Sequence, residues 1–225
     1  MSITGIPFKS IIAVAVVISA SIAVYYSWLS DSEETILPPE EIEEYLFWNP
    51  KKLQEFTLSI AGNQQLTLDN LLGKWSFVFF GYTHCPDVCP VTLGVMSATV
   101  NSLEKTSDLT PELQGIFISV DPDRDSPEHL KQYTSYFHPK FIGATGTTAQ
   151  IDAITRQMMA LYAIHNEESK EHYLVSHNST VFLIDPRGRL YGRFPPPLNP
   201  NEIARALTGI RTFYNAQESK RWSFF

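Results

Sequence analysis

The chain has 225 residues, with 24 acidic and 17 basic side chains and a formal net charge of −7, giving a pI near 5.3. This balance argues against a nucleic-acid binder, or a protein held by charge on an anionic lipid surface, because both need a basic footprint. The chain contains only two cysteines, so any thiol chemistry is confined to one site.

The first predicted element is apolar. From Ile11 to Leu29, nineteen residues carry no charge; at ~1.5 Å per residue a helix of that length spans roughly 28 Å, close to the hydrocarbon thickness of a bilayer. Residues 11–29 are therefore expected to form one N-terminal transmembrane helix. Lys9 precedes it and Asp31, Glu33 and Glu34 follow it, which places the short segment 1–10 in the cytoplasm and the rest outside. A cleavable signal peptide is the competing reading, since Ser21-Ile22-Ala23 resembles a cleavage site, but the apolar run continues past it to Leu29. A transit peptide would be Arg-rich, and the first thirty residues contain no Arg. The expected setting is a bacterial inner (cytoplasmic) membrane, crossed once, with the soluble domain facing the periplasm.

An acidic, Pro-containing linker occupies residues 30–44, and residues 45–215 are long enough for one domain with a sizeable core. Ser76 to Tyr82 reads as a buried strand, Val91 to Leu103 as a helix introduced by Pro90, and Gly115 to Val120 as a second buried strand. Ser126 is an expected N-cap, with Pro127 at the first position of a helix to about Phe137. Phe141 to Ala144 reads as a short strand. Thr148 to Ala163 has apolar residues at helical spacing. Ser179 to Ile184 and Arg189 to Phe194 flank the turn Asp185-Pro186-Arg187-Gly188 and so predict a hairpin. A last helix is expected from Pro200 to about Tyr214, with residues 216–225 as a tail. This order is α/β, with a mixed sheet flanked by helices, as in a thioredoxin-like fold.

Cys85 and Cys89 lie in Gly81-Tyr82-Thr83-His84-Cys85-Pro86-Asp87-Val88-Cys89-Pro90, directly after the first buried strand. A pair this close can close into a disulfide or chelate one soft metal ion. A structural disulfide fits an exported protein, but a loop this short constrains the unfolded chain least. Pro90 at a first helical position makes Cys89 the expected N-cap, where unpaired N–H groups and the helix dipole favour a thiolate. A metal would want a third ligand of intermediate softness, usually imidazole. His129 and His138 read as residues of a solvated helix face. His165 and His172 flank a polar loop, and His84 takes a supporting role. His177 lies just before the strand Ser179 to Ile184 and can lean over the cysteine turn; as a lone His beside a strand it also reads as a packed or hydrogen-bonded residue. Asp121 ends the second strand, where it either forms a turn before Pro122 or orients a ligand. Arg124 and Asp125 are expected to form a local ion pair or a docking surface.

Four blocks together resemble the Sco/SenC family: Phe79 to Pro90, Ile118 to Pro127, Phe141 to Thr147, and His177-Asn178-Ser179 before Phe182-Leu183-Ile184-Asp185. The resemblance runs in order from about Phe56 to Gly209. It implies a membrane-tethered thioredoxin-like domain that binds copper through Cys85, Cys89 and His177 and helps assemble the binuclear copper centre of cytochrome c oxidase. Asn178 departs from the serine that often follows the histidine, which leaves the ligand set intact.

Two thiolates with one imidazole suit Cu(I), and the same set with an added oxygen ligand suits Cu(II). Zn(II) is the runner-up, because a structural zinc site wants a fourth protein ligand. Two function classes follow. In one, the protein is a copper chaperone without turnover, whose partners are the copper-centre subunit of cytochrome c oxidase or another copper-accepting protein, with other copper carriers upstream. In the other, Cys85 and Cys89 are the reactive pair of a thiol–disulfide oxidoreductase that reduces the cysteines of such a partner. A redox or copper sensor is a third reading. A peroxidase is weaker, because the cysteines come as a close pair.

Overall fold

The computed structural model describes residues 8–30, 37–106, 112–165, 174–177 and 179–222. The chain divides into two compact units, Met1–Leu37 and Pro38–Phe225. The first unit contains helix α1 (Phe8–Ser30), whose described apolar side chains, among them Val14, Val17, Ile18 and Val24, are exposed. Among the described residues, no helix is long and apolar enough to cross a membrane. The expected span Ile11–Leu29 includes residues whose side chains lie outside that description, as do most of segment 1–10 and the linker's residues 31–36.

The second unit is built on a six-stranded mixed sheet in the order β1-β10-β9-β4-β5-β6. The strands are β1 (Leu46–Lys52), β4 (Trp75–Gly81), β5 (Leu113–Ser119), β6 (Phe141–Ala144), β9 (Val181–Ile184) and β10 (Arg189–Phe194). β4 runs parallel to β5, and β5 to β6, while β9 pairs antiparallel with both β4 and β10. Every residue of β4 is buried, as a central strand covered on both faces requires.

Because successive side chains point to opposite faces, β4 divides its aromatic residues between two cores. Val78 and Phe80, with Ile116 and Ile118 of β5, pack with Leu58 and Leu66 of the hairpin β2 (Thr57–Ile60)–β3 (Gln64–Thr67) and with Ile151 and Ile154 of α5 (Thr148–Gln157). On the other face lie α3 (Val88–Thr106), α4 (Pro127–Phe137) and α6 (Pro200–Trp222). There Trp75 meets Tyr214 edge-on at 5.2 Å, and Phe117 meets Tyr133 at 5.6 Å. A short helix, α2 (Glu40–Glu43), seats Ile42 against α6.

Several predicted elements appear as expected. Ser126 caps α4, its hydroxyl accepting from the His129 N–H at 3.2 Å, with Pro127 next in the helix. The Asp185–Gly188 turn joins β9 to β10, with the Gly188 N–H donating to the Asp185 carbonyl at 2.9 Å. Others differ. The helix expected over Thr148–Ala163 stops at Gln157, because Met159 takes φ 54°. The Met159 N–H donates to the Arg156 carbonyl and the Ala160 N–H to the Thr155 carbonyl, the paired bonds of a Schellman ending. Beyond it, Leu161 is exposed, and a hairpin follows, β7 (Tyr162–His165) with β8 (Leu174–His177). The last helix continues through Ala216 to Trp222, so most of the expected tail is helical.

Candidate metal centre

The cysteine turn leaves the carboxyl end of β4. Helix α3 begins at Val88, and its first i→i+4 bond runs from the Val91 N–H to the Asp87 carbonyl at 3.3 Å. Cys89 is therefore inside the first turn, not at the N-cap. Pro90 is accommodated because N–H groups of the first turn have no intrahelical acceptor to lose. One of these orphan donors is used by the site itself: the Cys89 N–H donates to Cys85 Sγ at 3.4 Å. The sulfur that caps the helix is thus that of Cys85, not that of Cys89.

Neither cysteine is in a disulfide, but their surroundings differ. Cys85 is partly exposed and packs on the core that contains Val120 and Phe80. Cys89 is fully buried on the opposite face of the sheet, in space left by Gly81. A Cβ on Gly81 would stand 2.6 Å from Cys89 Sγ and 2.7 Å from Phe117 Cε2. Burial is the main cause that pushes the Cys89 thiol well above its ordinary range, against the lowering effect of a backbone hydrogen bond at Tyr82. Cys89 is therefore not the sulfur that the helix terminus favours as an anion, because desolvation outweighs the terminus there.

The turn before Cys85 is braced by Asp125, whose carboxylate is fully buried. It accepts from the Thr83 N–H at 2.9 Å, from the Thr83 hydroxyl, and from the Ser119 hydroxyl at 2.5 Å. His84 Nδ1 lies 3.1 Å from the Thr83 hydroxyl and 3.9 Å from Asp125. The Asp121 carboxylate accepts from Arg124 Nε at 2.5 Å, and the Arg124 guanidinium lies over the Tyr82 ring at 5.6 Å. Arg124 and Asp125 are therefore not paired with each other: Arg124 goes to Asp121, and Asp125 holds the cysteine turn.

His177 is the last residue of strand β8 rather than part of a loop, and its backbone stands opposite Tyr162 of β7. β8 belongs to a separate two-stranded sheet and touches β4, whose end launches the cysteine turn, at a few positions. The Tyr162 hydroxyl donates to Asp152 of α5 at 2.6 Å, and burial first, then this hydrogen bond, pushes the phenol up to about 12. Among the described residues, no three His, Cys, Asp or Glu form a metal-holding group; the side chain of His177 and the whole of His172 and Asn178 lie outside that description. His165 ends β7 and His129 is exposed on α4 as expected. His138 is buried instead of solvated, and burial lowers its pKa.

Gly81, Ser119 and Asp125, and the Asp152–Tyr162 pair, were not singled out as site residues by sequence reasoning. A glycine closing an aromatic-rich strand just before two cysteines was a usable signal for the first. The other contacts join residues 6 to 42 positions apart, with no local pattern.

Comparison with known proteins identifies relatives of the whole domain. The SCO1/SenC family model matches residues 49–212. An SCO2-like protein of Rickettsia felis is 34% identical over 204 residues, covering 89% of this chain and 98% of the relative. The crystal structure of Arabidopsis thaliana ScoI with copper bound is similar with a TM-score of 0.65 and 31% identity, over 71% of this chain and 98% of that one. Yeast Sco1 with copper bound has a TM-score of 0.65 and 32% identity, over 71% and 87% of the respective chains. With a family model over residues 49–212, a near full-length relative and two copper-bound neighbours of the same thioredoxin-like architecture, the chain belongs to the SCO1/SenC family.

Proposed function

We propose that the protein is a membrane-tethered copper chaperone that holds copper, as Cu(I) or Cu(II), through Cys85, Cys89 and His177. Its acceptor is the copper-centre subunit of cytochrome c oxidase, or another copper-accepting protein, in assembly of the binuclear copper centre. The observation that carries this reading is the pair of cysteines on one turn, in no disulfide, with the Cys85 sulfur 3.4 Å from the Cys89 N–H; the turn leaves β4, a strand that touches the one ending in His177. Two soft donors and an imidazole fit the ion, and two relatives were solved with copper bound. The uncharged run Ile11–Leu29 supports an anchor in the bacterial inner membrane, with the copper domain in the periplasm. The partly exposed Cys85 sulfur is the natural exit point, passing copper to an incoming thiolate by ligand exchange while buried Cys89 releases it last.

The same pair favours a second reading, thiol–disulfide exchange. The Cys85 thiolate attacks a disulfide of the partner, forming a mixed disulfide and releasing one partner thiol. Cys89 then attacks the Cys85 sulfur, closing the Cys85–Cys89 bond and releasing the second partner thiol, so two electrons pass to the partner.

Titration of the reduced full chain in detergent with Cu(I), against a competing chelator, separates the readings. His177→Ala should lower the affinity at least tenfold, about 1.4 kcal/mol, and leave the dithiol oxidisable. Equal affinity in the variant rejects the three-ligand site; weak binding in both proteins, with ready exchange, selects the oxidoreductase.

A further inference from the structure

We infer that the hydrogen bond from Tyr162 to Asp152 is a clamp that positions the His177 end of the β7–β8 hairpin for copper, which makes Tyr162 and Asp152 positioning residues of the site. The inference rests on the reading of His177 as a copper ligand.

The hairpin has two ends. The pair His165↔Leu174 lies at one end of the ladder, and the pair Tyr162↔His177 closes the other, where the hairpin joins the body. At that end the chain has just reversed out of α5 through Met159, whose left-handed backbone costs energy for a side-chain-bearing residue. Two backbone bonds fix the reversal, from Met159 to Arg156 at 3.3 Å and from Ala160 to Thr155 at 2.9 Å. Three residues after Met159, the Tyr162 hydroxyl returns to the same helix and donates to Asp152 Oδ1 at 2.6 Å. Asp152 lies in the middle of α5, whose neighbours Ile151 and Ile154 are buried in the core. The helix is secured again where Gln157 Oε1 accepts from the Gln54 N–H at 2.7 Å.

The register transmits this restraint. An antiparallel pair holds directly opposed residues at a fixed separation of about 4.5–5.5 Å between Cα atoms, so fixing Tyr162 fixes the backbone of His177. Tyr162 and Cys85 also pack against the same hydrophobic core. The clamp and the exposed sulfur therefore share one rigid support. A two-stranded ribbon alone is marginally stable in water, and a ligand on such a ribbon needs a restraint of this kind at its root.

The test uses the full chain in detergent. Tyr162→Phe keeps the ring and deletes the donor; it should lower Cu(I) affinity about threefold to tenfold without changing the reduction potential of the Cys85–Cys89 pair. Asp152→Ala should match it, while Asp152→Asn, which retains an acceptor oxygen, should restore most of the affinity. In a His177→Ala background, Tyr162→Phe should have no further effect, an outcome that a general loss of stability would not produce. Amide exchange without copper reads the clamp by itself: exchange at the hydrogen-bonded amides of the β7–β8 ladder should quicken at least tenfold in Tyr162→Phe. Unchanged exchange, or an affinity loss that persists undiminished in the His177→Ala background, overturns the inference. Unchanged affinity in His177→Ala with quickened exchange in Tyr162→Phe instead rejects the ligand set, and the role of the clamp in copper binding with it.

Discussion

Replacing Gly81 by Ala tests whether the buried cysteine occupies space that only a missing Cβ provides. The new methyl carbon would lie 2.6 Å from Cys89 Sγ, 2.7 Å from Phe117 Cε2 and 3.2 Å from Phe117 Cζ. Non-bonded heavy atoms settle at about 3.5–4.0 Å, so the sulfur and the ring must each retreat by about 1 Å. Neither has room to do so. Phe117 is fully buried between Phe79, at 6.0 Å, and Tyr133, at 5.6 Å, and Cys89 is buried at the start of α3. Overpacking of this kind costs about 1–3 kcal/mol. With a urea slope near 2 kcal/mol/M, typical for such domains, the unfolding midpoint should fall by about 0.5–1.5 M. Gly94→Ala is the matched control, because Gly94 is exposed within α3 and a Cβ there meets nothing within 4 Å. It should instead stabilise the chain by about 0.5–1 kcal/mol through helix propensity. Urea unfolding followed by circular dichroism reads both. A Cu(I) titration should show weaker binding for Gly81→Ala and none of that loss for Gly94→Ala. A Gly81→Ala midpoint equal to that of the parent would refute the steric reasoning.

Asp125→Asn keeps the size of the side chain but removes the charge that the Thr83 N–H, the Thr83 hydroxyl and the Ser119 hydroxyl address. It should cost about 2–4 kcal/mol and loosen the cysteine turn, seen as faster modification of Cys85 by a thiol reagent; an unchanged modification rate would remove Asp125 from the support of the site. The burial of His138 implies an acid-sensitive term. Its folded-state pKa is lowered from 6.5, so the unfolded chain binds more protons, and stability present above the unfolded value is lost as pH falls below it toward the folded value. The unfolding midpoint should therefore drop as pH falls below about 6.5, and His138→Gln should flatten that part of the profile; a parallel profile in the variant would assign the acid sensitivity elsewhere.

What could be read in the sequence was local. The run Trp75–Phe80, apolar but for Ser76, specifies a strand buried on both faces, Ser126-Pro127 specifies a helix start, and Asp185-Pro186-Arg187-Gly188 specifies a hairpin turn, because each depends on neighbours in the chain. The pair of cysteines at the end of a central strand was legible for the same reason. Other features needed tertiary context. Pro90 is accommodated at any unbonded position of a first helical turn, so it did not distinguish Cys89 as a cap from Cys89 inside the helix. Helical spacing carried the expected α5 on to Ala163, whereas the left-handed Met159 ends it and releases Tyr162 into a strand. The burial that pushes the Cys89 thiol up arises where its sulfur packs beside Gly81, and Asp125 reaches the cysteine turn across 42 residues. The sequence by itself determined which groups can bind a soft metal. Tertiary structure alone decided which sulfur is exposed and which is buried, because burial and long-range hydrogen bonds arise only when separate segments pack together.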